Sequence, residues 1–203
     1  MGEARENTAA RGTVARIVSS VDPCCSEALH GASCAFGVFD GVHRGHRFII
    51  DCALAESRER SCACAVITFD HDPDELFCPD RLDKIMTNGE RIEMLAHTGV
   101  DFVIVIPFTR EFASQSPEEF LDAMFGRALP AAVHIGCDFR FGARAAGTLS
   151  TLEEWGSAQG VHVVGHELLE VDGVPVTSTR IRKLMAEGKR EEAEKLLDRP
   201  LSL

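Results

Sequence analysis

Two histidines three residues apart, His43 and His46, stand in the run Gly37-Val38-Phe39-Asp40-Gly41-Val42-His43-Arg44-Gly45-His46. An apolar, strand-like segment (residues 32–36) precedes the run and a helix-like segment follows it, so the histidines fall where a strand hands over to a helix. A helix N-terminus presents unpaired N–H groups and the positive end of the helix dipole, and it attracts phosphate. Glycines at 37, 41 and 45 let backbone approach a ligand closely, and both imidazoles can donate to phosphate oxygens from one face of the first turn. A bare His-x-x-His is more often a pair of solvated or core histidines. The chemistry this run points to is the handling of a nucleoside triphosphate.

A second cluster is Val176-Thr177-Ser178-Thr179-Arg180-Ile181-Arg182, where three adjacent hydroxyls open a helix and Arg182 lies one turn in from Ser178. Read alone it is an ordinary capped helix with a solvated arginine. Beside the histidine run it becomes a second phosphate-binding mouth, with a guanidinium to neutralise developing charge. A third segment, Ile135-Gly136-Cys137-Asp138-Phe139-Arg140-Phe141-Gly142, sets two Phe rings around an Arg at a strand end. Those rings pack on a flat ligand or anchor a loop, and the segment by itself leaves both open. A fourth is Thr68-Phe69-Asp70-His71-Asp72-Pro73.

The elements that must position these groups alternate. Strands are expected at residues 13–19, 32–38, 63–69, 102–106, 131–137 and from 161 to 164. Helices are expected at 44–59, 88–97, from Ser116-Pro117-Glu118-Glu119 onward, 151–159, from Thr177 or Ser178 to 186, and 191–197. In the helix at 44–59 the expected apolar stripe is Phe48, Ile49, Cys52, Leu54 and Ala55. Strands separated by helices at this spacing predict an α/β fold, a Rossmann-like parallel sheet flanked by helices, with ligands beyond the C-terminal strand ends. The histidine turn and the Cys137-Asp138 loop both begin at such ends.

The 203 residues fit one domain, and the net charge of −11 excludes a duplex-binding surface while leaving a small phosphorylated ligand possible. No apolar run reaches bilayer length, and residues 1–12 are polar without a signal-peptide core, so a cytoplasmic protein without membrane or nucleic-acid partners is expected. The eight cysteines, including Cys24-Cys25, Cys62-x-Cys64 and Cys78, lack zinc-site spacing; reduced thiols and no structural metal are expected.

The histidine run resembles the Gly-x-Phe-Asp-Gly-x-His-x-Gly-His signature of the nucleotidylyltransferase superfamily, in the form found in bacterial FAD synthetases, the bifunctional riboflavin kinase/FMN adenylyltransferases. The hydroxyl run is similar to that superfamily's Ile-Ser-Ser-Thr-x-x-Arg, with Val176 and Thr177 in the first two places. The Phe loop resembles the flavin enzymes' Val-Gly-x-Asp/Asn-Phe-x-Phe-Gly, which sets them apart from other nucleotidylyltransferases. The fourth segment departs from their Thr-Phe-x-Pro-His-Pro, with His71 for Pro and Asp72 for His. The resemblance runs from about residue 32 to 200. Up to Leu203 nothing corresponds to the kinase domain that follows in bifunctional members, so a single adenylyltransferase domain without kinase activity is expected.

What the resemblance implies is the nucleotidylyltransferase fold and transfer of AMP from ATP to FMN, giving FAD and pyrophosphate, with Mg²⁺ accompanying ATP. It assigns catalysis to His43, His46, Ser178, Thr179 and Arg182, and nucleotide binding to Gly37, Phe39, Asp40, Gly41, Thr177 and the same His43, His46, Ser178 and Arg182. Flavin binding falls to Asp138, Phe139, Phe141 and Phe69. Two other readings remain. One is a nucleotidylyltransferase for another phosphorylated acceptor, such as a phosphorylated pantetheine, nicotinamide mononucleotide or glycerol phosphate. The other is a flavin- or nucleotide-binding regulator without catalysis.

Overall fold

The computed structural model describes residues 14–77 and 83–201. Residues 1–12, Thr13 at the start of the first expected strand, and Cys78 lie outside them. Six parallel strands, β1 (Arg16–Ser19), β2 (Ser33–Phe36), β3 (Cys64–Phe69), β4 (Phe102–Ile106), β5 (Ala132–Gly136) and β6 (His162–His166), form one sheet in the order β1-β4-β3-β2-β5-β6. β3 is buried along its whole length, as a central parallel strand covered on both faces must be.

Alternate residues of the central strands feed two cores. Cys34, Phe36, Ala65, Ile67 and Phe69 join one cluster with α1 (Cys24–Leu29), α6 (Pro117–Phe125) and α7 (Leu149–Gln159). Ala35, Cys64 and Val66 join the other with α2 (Arg44–Arg60) and α4 (Asn88–Ala96). A third cluster packs α8 (Ser178–Ala186) against α9 (Arg190–Leu197). Short helices α3 (Pro73–Phe77) and α5 (Arg110–Ala113), and a hairpin of β7 (Glu170–Val171) with β8 (Val174–Pro175), complete the fold.

The strand order carries the functional consequence. The chain winds from β2 through β3 to β4 on one side, then returns to place β5 on the other side of β2 and continues to β6. The winding reverses between β2 and β5, and the crevice beyond their C-terminal ends is where such sheets bind ligands.

The expected helices and strands are present, with ends shifted by a few residues. Four short elements, α1, α3, α5 and the β7–β8 hairpin, were not expected. The hairpin did carry a signal: Asp172 and Gly173 both have positive φ (58° and 72°), the pattern of an Asp-Gly turn between paired strands. One detail of α2 is corrected. Its buried face is Ile50, Ala53, Leu54 and Ser57; of the expected stripe Leu54 is buried and Ile49 packs against the core, whereas Ala55 is exposed and Phe48 is 43% exposed. The histidine cap fixes how the helix enters, and His46, Ile50, Ala53 and Ser57 then follow one another down one face at helical spacing.

Candidate active site

His43 is the N-cap of α2, and its Nδ1 accepts a hydrogen bond from the His46 N–H at 3.3 Å. An Nδ1 that accepts leaves the ring proton on Nε2, so a neutral His43 presents Nε2–H as a donor. The two imidazoles stack at 3.5 Å between centroids, 15° from parallel, and the Phe39 ring meets His46 edge-on at 5.3 Å. Burial pushes the His43 pKa down to about 4. His46 is driven well below the ordinary imidazole range by desolvation first, with the charges of His43 and Arg91 adding. Both are therefore neutral N–H donors at pH 7, and His46 Nδ1 is buried without a protein partner among the described residues.

The turn that delivers them is strained. Phe39, Gly41 and Val42 all have positive φ (58°, 78° and 39°), a conformation costly for Phe and Val. A Cβ on Gly41 would stand 2.9 Å from Ile85, so only glycine fits there. Gly45 is the close-approach position: a Cβ would stand 3.2 Å from the His43 ring.

The second mouth is tied to this turn. Thr177 caps α8 by accepting from the Arg180 N–H at 3.1 Å. Ser178 Oγ donates to the Asp40 carbonyl at 2.9 Å, and Arg182 reaches the Asp40 carboxylate at 3.0 Å. Burial raises the Asp40 pKa and Arg182 partly offsets it. Arg182 Nε is buried and unpartnered among the described residues, so the guanidinium holds donor capacity beyond its bond to Asp40. Arg91, only 2% exposed, braces the turn from α4. It donates to the Val38 carbonyl at 2.7 Å, Thr68 Oγ1 at 2.6 Å and the Phe69 carbonyl at 2.8 Å, joining the ends of β2 and β3.

The two mouths face a single cavity of about 430 Å³, lined by Gly37, Phe39, Asp40, His43, His46, Asp138, Phe139, Thr177, Ser178, Thr179 and Arg182 among others. Gly41 does not line it; its carbonyl accepts instead from Arg199 at 3.1 Å. An adjoining apolar cavity of about 650 Å³ is walled by Phe69, Phe77, Phe108, Phe112, Phe139 and Phe141, and it shares Val38, Pro73, Asp74, Phe139 and Arg140 with the first. Phe69, Phe139 and Phe141 thus fall on the aromatic side, and Asp138 on the polar side. Among the described residues no three His, Cys, Asp or Glu side chains gather into a metal cage.

Sequence reasoning missed Arg91, His166 and Glu167. Arg91 sits amid a polar-looking helix and shows its role only through the carbonyls it reaches. His166 and Glu167 line the polar cavity at the end of β6 and just past it, beyond residues 161–164 with which the strand was expected to open. Asp72 lines the cavity too, 9% exposed with its carboxyl raised by burial, while His71 is exposed beside Asp70 at 3.1 Å.

A family model described as FAD synthetase matches residues 25–180. The chain belongs to the FAD synthetase family. The bifunctional riboflavin kinase/FMN adenylyltransferase of Escherichia coli is 33% identical over 175 residues, covering 85% of this chain and 56% of the relative. The Pseudomonas fluorescens protein of that name is 34% identical over 179 residues, covering 85% and 56%. The chain spans about half the length of these relatives. Among solved structures, a protein described as a macrolide-efflux protein from Streptococcus pneumoniae superposes with a TM-score of 0.79 at 25% identity, covering 92% of this chain and 72% of that one. Pantothenate synthetase from Thermus thermophilus superposes at 0.53 with 16% identity, covering 90% and 80%; it shares the fold. The FAD synthetase match thus includes the histidine turn, the aromatic loop and the opening of α8, the three parts that meet at the crevice.

Proposed function

We propose that this chain is an FMN adenylyltransferase, transferring AMP from ATP to FMN and releasing pyrophosphate. The observation that carries the reading is the convergence of the stacked His43–His46 pair and the α8 mouth on one polar cavity that opens into an aromatic one. The polar cavity suits a triphosphate; the phenyl-walled cavity suits a flat isoalloxazine ring.

In this reading an oxygen of the FMN phosphate attacks the α-phosphorus of ATP, and the bond to the β-phosphate breaks. No protein nucleophile takes part, so rate comes from positioning and charge stabilisation. His43 Nε2–H and the His46 ring donate to the oxygens on which charge develops. Ser178, Thr179 and Arg182 grip the leaving β- and γ-phosphates with the N–H groups that open α8. Gly37, Phe39, Asp40 and Thr177 shape and brace the nucleotide pocket, and Gly41 permits its turn. Phe139, with Phe69 and Phe141 behind it, packs on the flavin, and Asp138 stands where the two cavities meet. Mg²⁺ enters as part of the nucleotide substrate, bound to phosphate oxygens and water.

The chain acts as one adenylyltransferase domain on small molecules, without nucleic acid. No described helix is long and apolar enough to cross a membrane. The cytoplasm is our assignment, supported by free thiols at seven described cysteines.

The test is incubation with ATP, Mg²⁺ and FMN, with FAD followed by chromatography and pyrophosphate by a coupled assay. Both products should form in equal amounts and only with FMN present. Pyrophosphate release with phosphopantetheine, nicotinamide mononucleotide or glycerol phosphate, but not FMN, would overturn the acceptor. FMN binding with no release from any acceptor would make the chain a regulator.

A further inference from the structure

A line of polar groups that the transfer mechanism leaves unused runs from the flank of α2 into the polar cavity. Glu56 Oε2 lies 2.8 Å from His134 Nε2, and His134 Nδ1 lies 3.0 Å from His166 Nε2. The two imidazoles are stacked 14° from parallel, and Phe48 meets His166 edge-on at 5.6 Å. His134 is 3% exposed on β5; His166 ends β6 and lines the cavity. Glu56 is itself fixed by His162 Nδ1 at 2.8 Å and Arg60 Nε at 2.6 Å.

The protons along this line are determined by the first partner. Burial works against the Glu56 charge, but the bonds from His162 and Arg60 win and hold its carboxyl below the ordinary range. The ionised carboxylate 2.8 Å from His134 Nε2 favours the proton on that nitrogen by charge, although the N–H is not aligned on it as a hydrogen bond, and His134 Nδ1 is then the acceptor. His166 must then donate from Nε2. A neutral imidazole that donates at Nε2 carries a lone pair at Nδ1, and among the described residues the hydrogen bond of the His166 ring is the one at Nε2. The result is a neutral acceptor of fixed position on a cavity wall whose other side-chain acceptors include the carboxylates of Asp40, Asp72, Asp74, Asp138 and Glu167.

Its place in the cavity says which part of the nucleotide it meets. The phosphates belong at the mouths of α2 and α8, and the aromatic cavity departs on the side of Val38, Pro73 and Phe139. The β6 end is the remaining wall, left for the nucleoside. Resting on the adenylyltransferase reading for the identity of the nucleotide, we propose that His166 is a nucleoside-binding residue. Its Nδ1 accepts from a donor on ATP, the exocyclic amine or a ribose hydroxyl, and Glu56 and His134 are positioning residues that fix its tautomer.

The experiment compares wild type with His166→Leu, His166→Asn and Glu56→Gln. Rates are measured with ATP, inosine triphosphate, 2′-deoxy-ATP and 3′-deoxy-ATP at saturating FMN, and ATP binding by calorimetry. His166→Leu should raise the ATP KM and Kd about 5- to 20-fold, with kcat within about 3-fold. His166→Asn, whose Oδ1 replaces the Nδ1 acceptor, should recover most of that loss. Glu56→Gln should raise the ATP KM about 2- to 5-fold by freeing the tautomer. The analogue that loses its disadvantage against ATP in His166→Leu names the donor: inosine triphosphate the amine, a deoxy analogue the hydroxyl. An unchanged ATP KM in His166→Leu would overturn the proposal. So would equal loss for all four nucleotides without recovery in His166→Asn, the mark of a purely structural role. A wild type that binds ATP but makes no FAD sinks the transferase reading alone; His166 is then judged from the binding arm.

Discussion

Each histidine of the signature has its own duty, set by which nitrogen is already engaged. His43 spends Nδ1 on the α2 N-terminus and offers Nε2–H; His46 stacks on it and keeps a buried nitrogen unpartnered among the described residues. A buried polar nitrogen without a protein partner costs stability unless a ligand completes it, which fits the anion site proposed for the pair. Replacing His46 with alanine should lower the rate of FAD formation by about 10²–10³ with folded structure retained, checked by initial rates and circular dichroism. Phe139 is half-buried between the two cavities, 5.0 Å from Phe36 and stacked with Phe141 at 6.2 Å. Phe139→Ala should raise the FMN KM about 5- to 20-fold while the ATP KM stays near wild type, separating the aromatic pocket from the phosphate pocket. That the motif residues belong together was legible in the sequence, because their types and spacing fit a phosphate site, and the structure brings them to one cavity. His166 was not, since nothing local to residues 161–166 tells that the strand carries an imidazole to the cavity wall.

Elements converge here because of braces that span long sequence separations. Asp40 receives Ser178 and Arg182 from 138 and 142 residues away, and Arg91 reaches Val38 from 53 away. Arg91→Met keeps the length of the side chain but removes the donor to the Phe69 carbonyl and leaves the Val38 carbonyl only the Thr68 hydroxyl. It should destabilise the protein by about 2–5 kcal/mol and lower the rate as the histidine turn loosens, measured by urea unfolding and FAD assay. One helix start was legible in detail, Ser116 forming a capping box with Glu119 while Pro117 opens α6; the structure adds a second box, Thr87 with Glu90, at the start of α4. Helix faces were less so. The apolar stripe expected on α2 held at Leu54 and Ile49 and missed at Phe48 and Ala55, because the cap geometry and the neighbouring strands, not residue hydrophobicity, decide which side turns inward.

At the scale of the molecule, titrating groups couple the site to stability. His43 and His134 both have pKa values pushed by burial from 6.5 to about 4. Between those values the unfolded chain binds protons that the folded imidazoles refuse. Their contribution is fully present above pH 6.5 and is lost as pH falls toward 4, at most roughly 1.4 kcal/mol per pH unit for each histidine. Asp40 and Asp72, whose carboxyls burial raises, tilt the other way, so the clean measurement is a difference. Between pH 7 and pH 5 wild type should lose more unfolding free energy than His134→Gln, read from urea midpoints; equal losses would contradict the low His134 pKa.

Residue chemistry and chain order were settled by the sequence alone. The alternation of apolar runs and capped helices dictates a parallel α/β sheet, and the two glycine- and hydroxyl-bearing runs mark the helix mouths proposed here to hold phosphate. Only the tertiary structure decided that those mouths share one cavity, that Arg91 braces it, and that β5 and β6 align Glu56, His134 and His166. The reason is that local hydrogen bonding and burial patterns fix elements, whereas strand order is a long-range choice. The reversal between β2 and β5 is set by how whole layers pack, and no short window of residues encodes it.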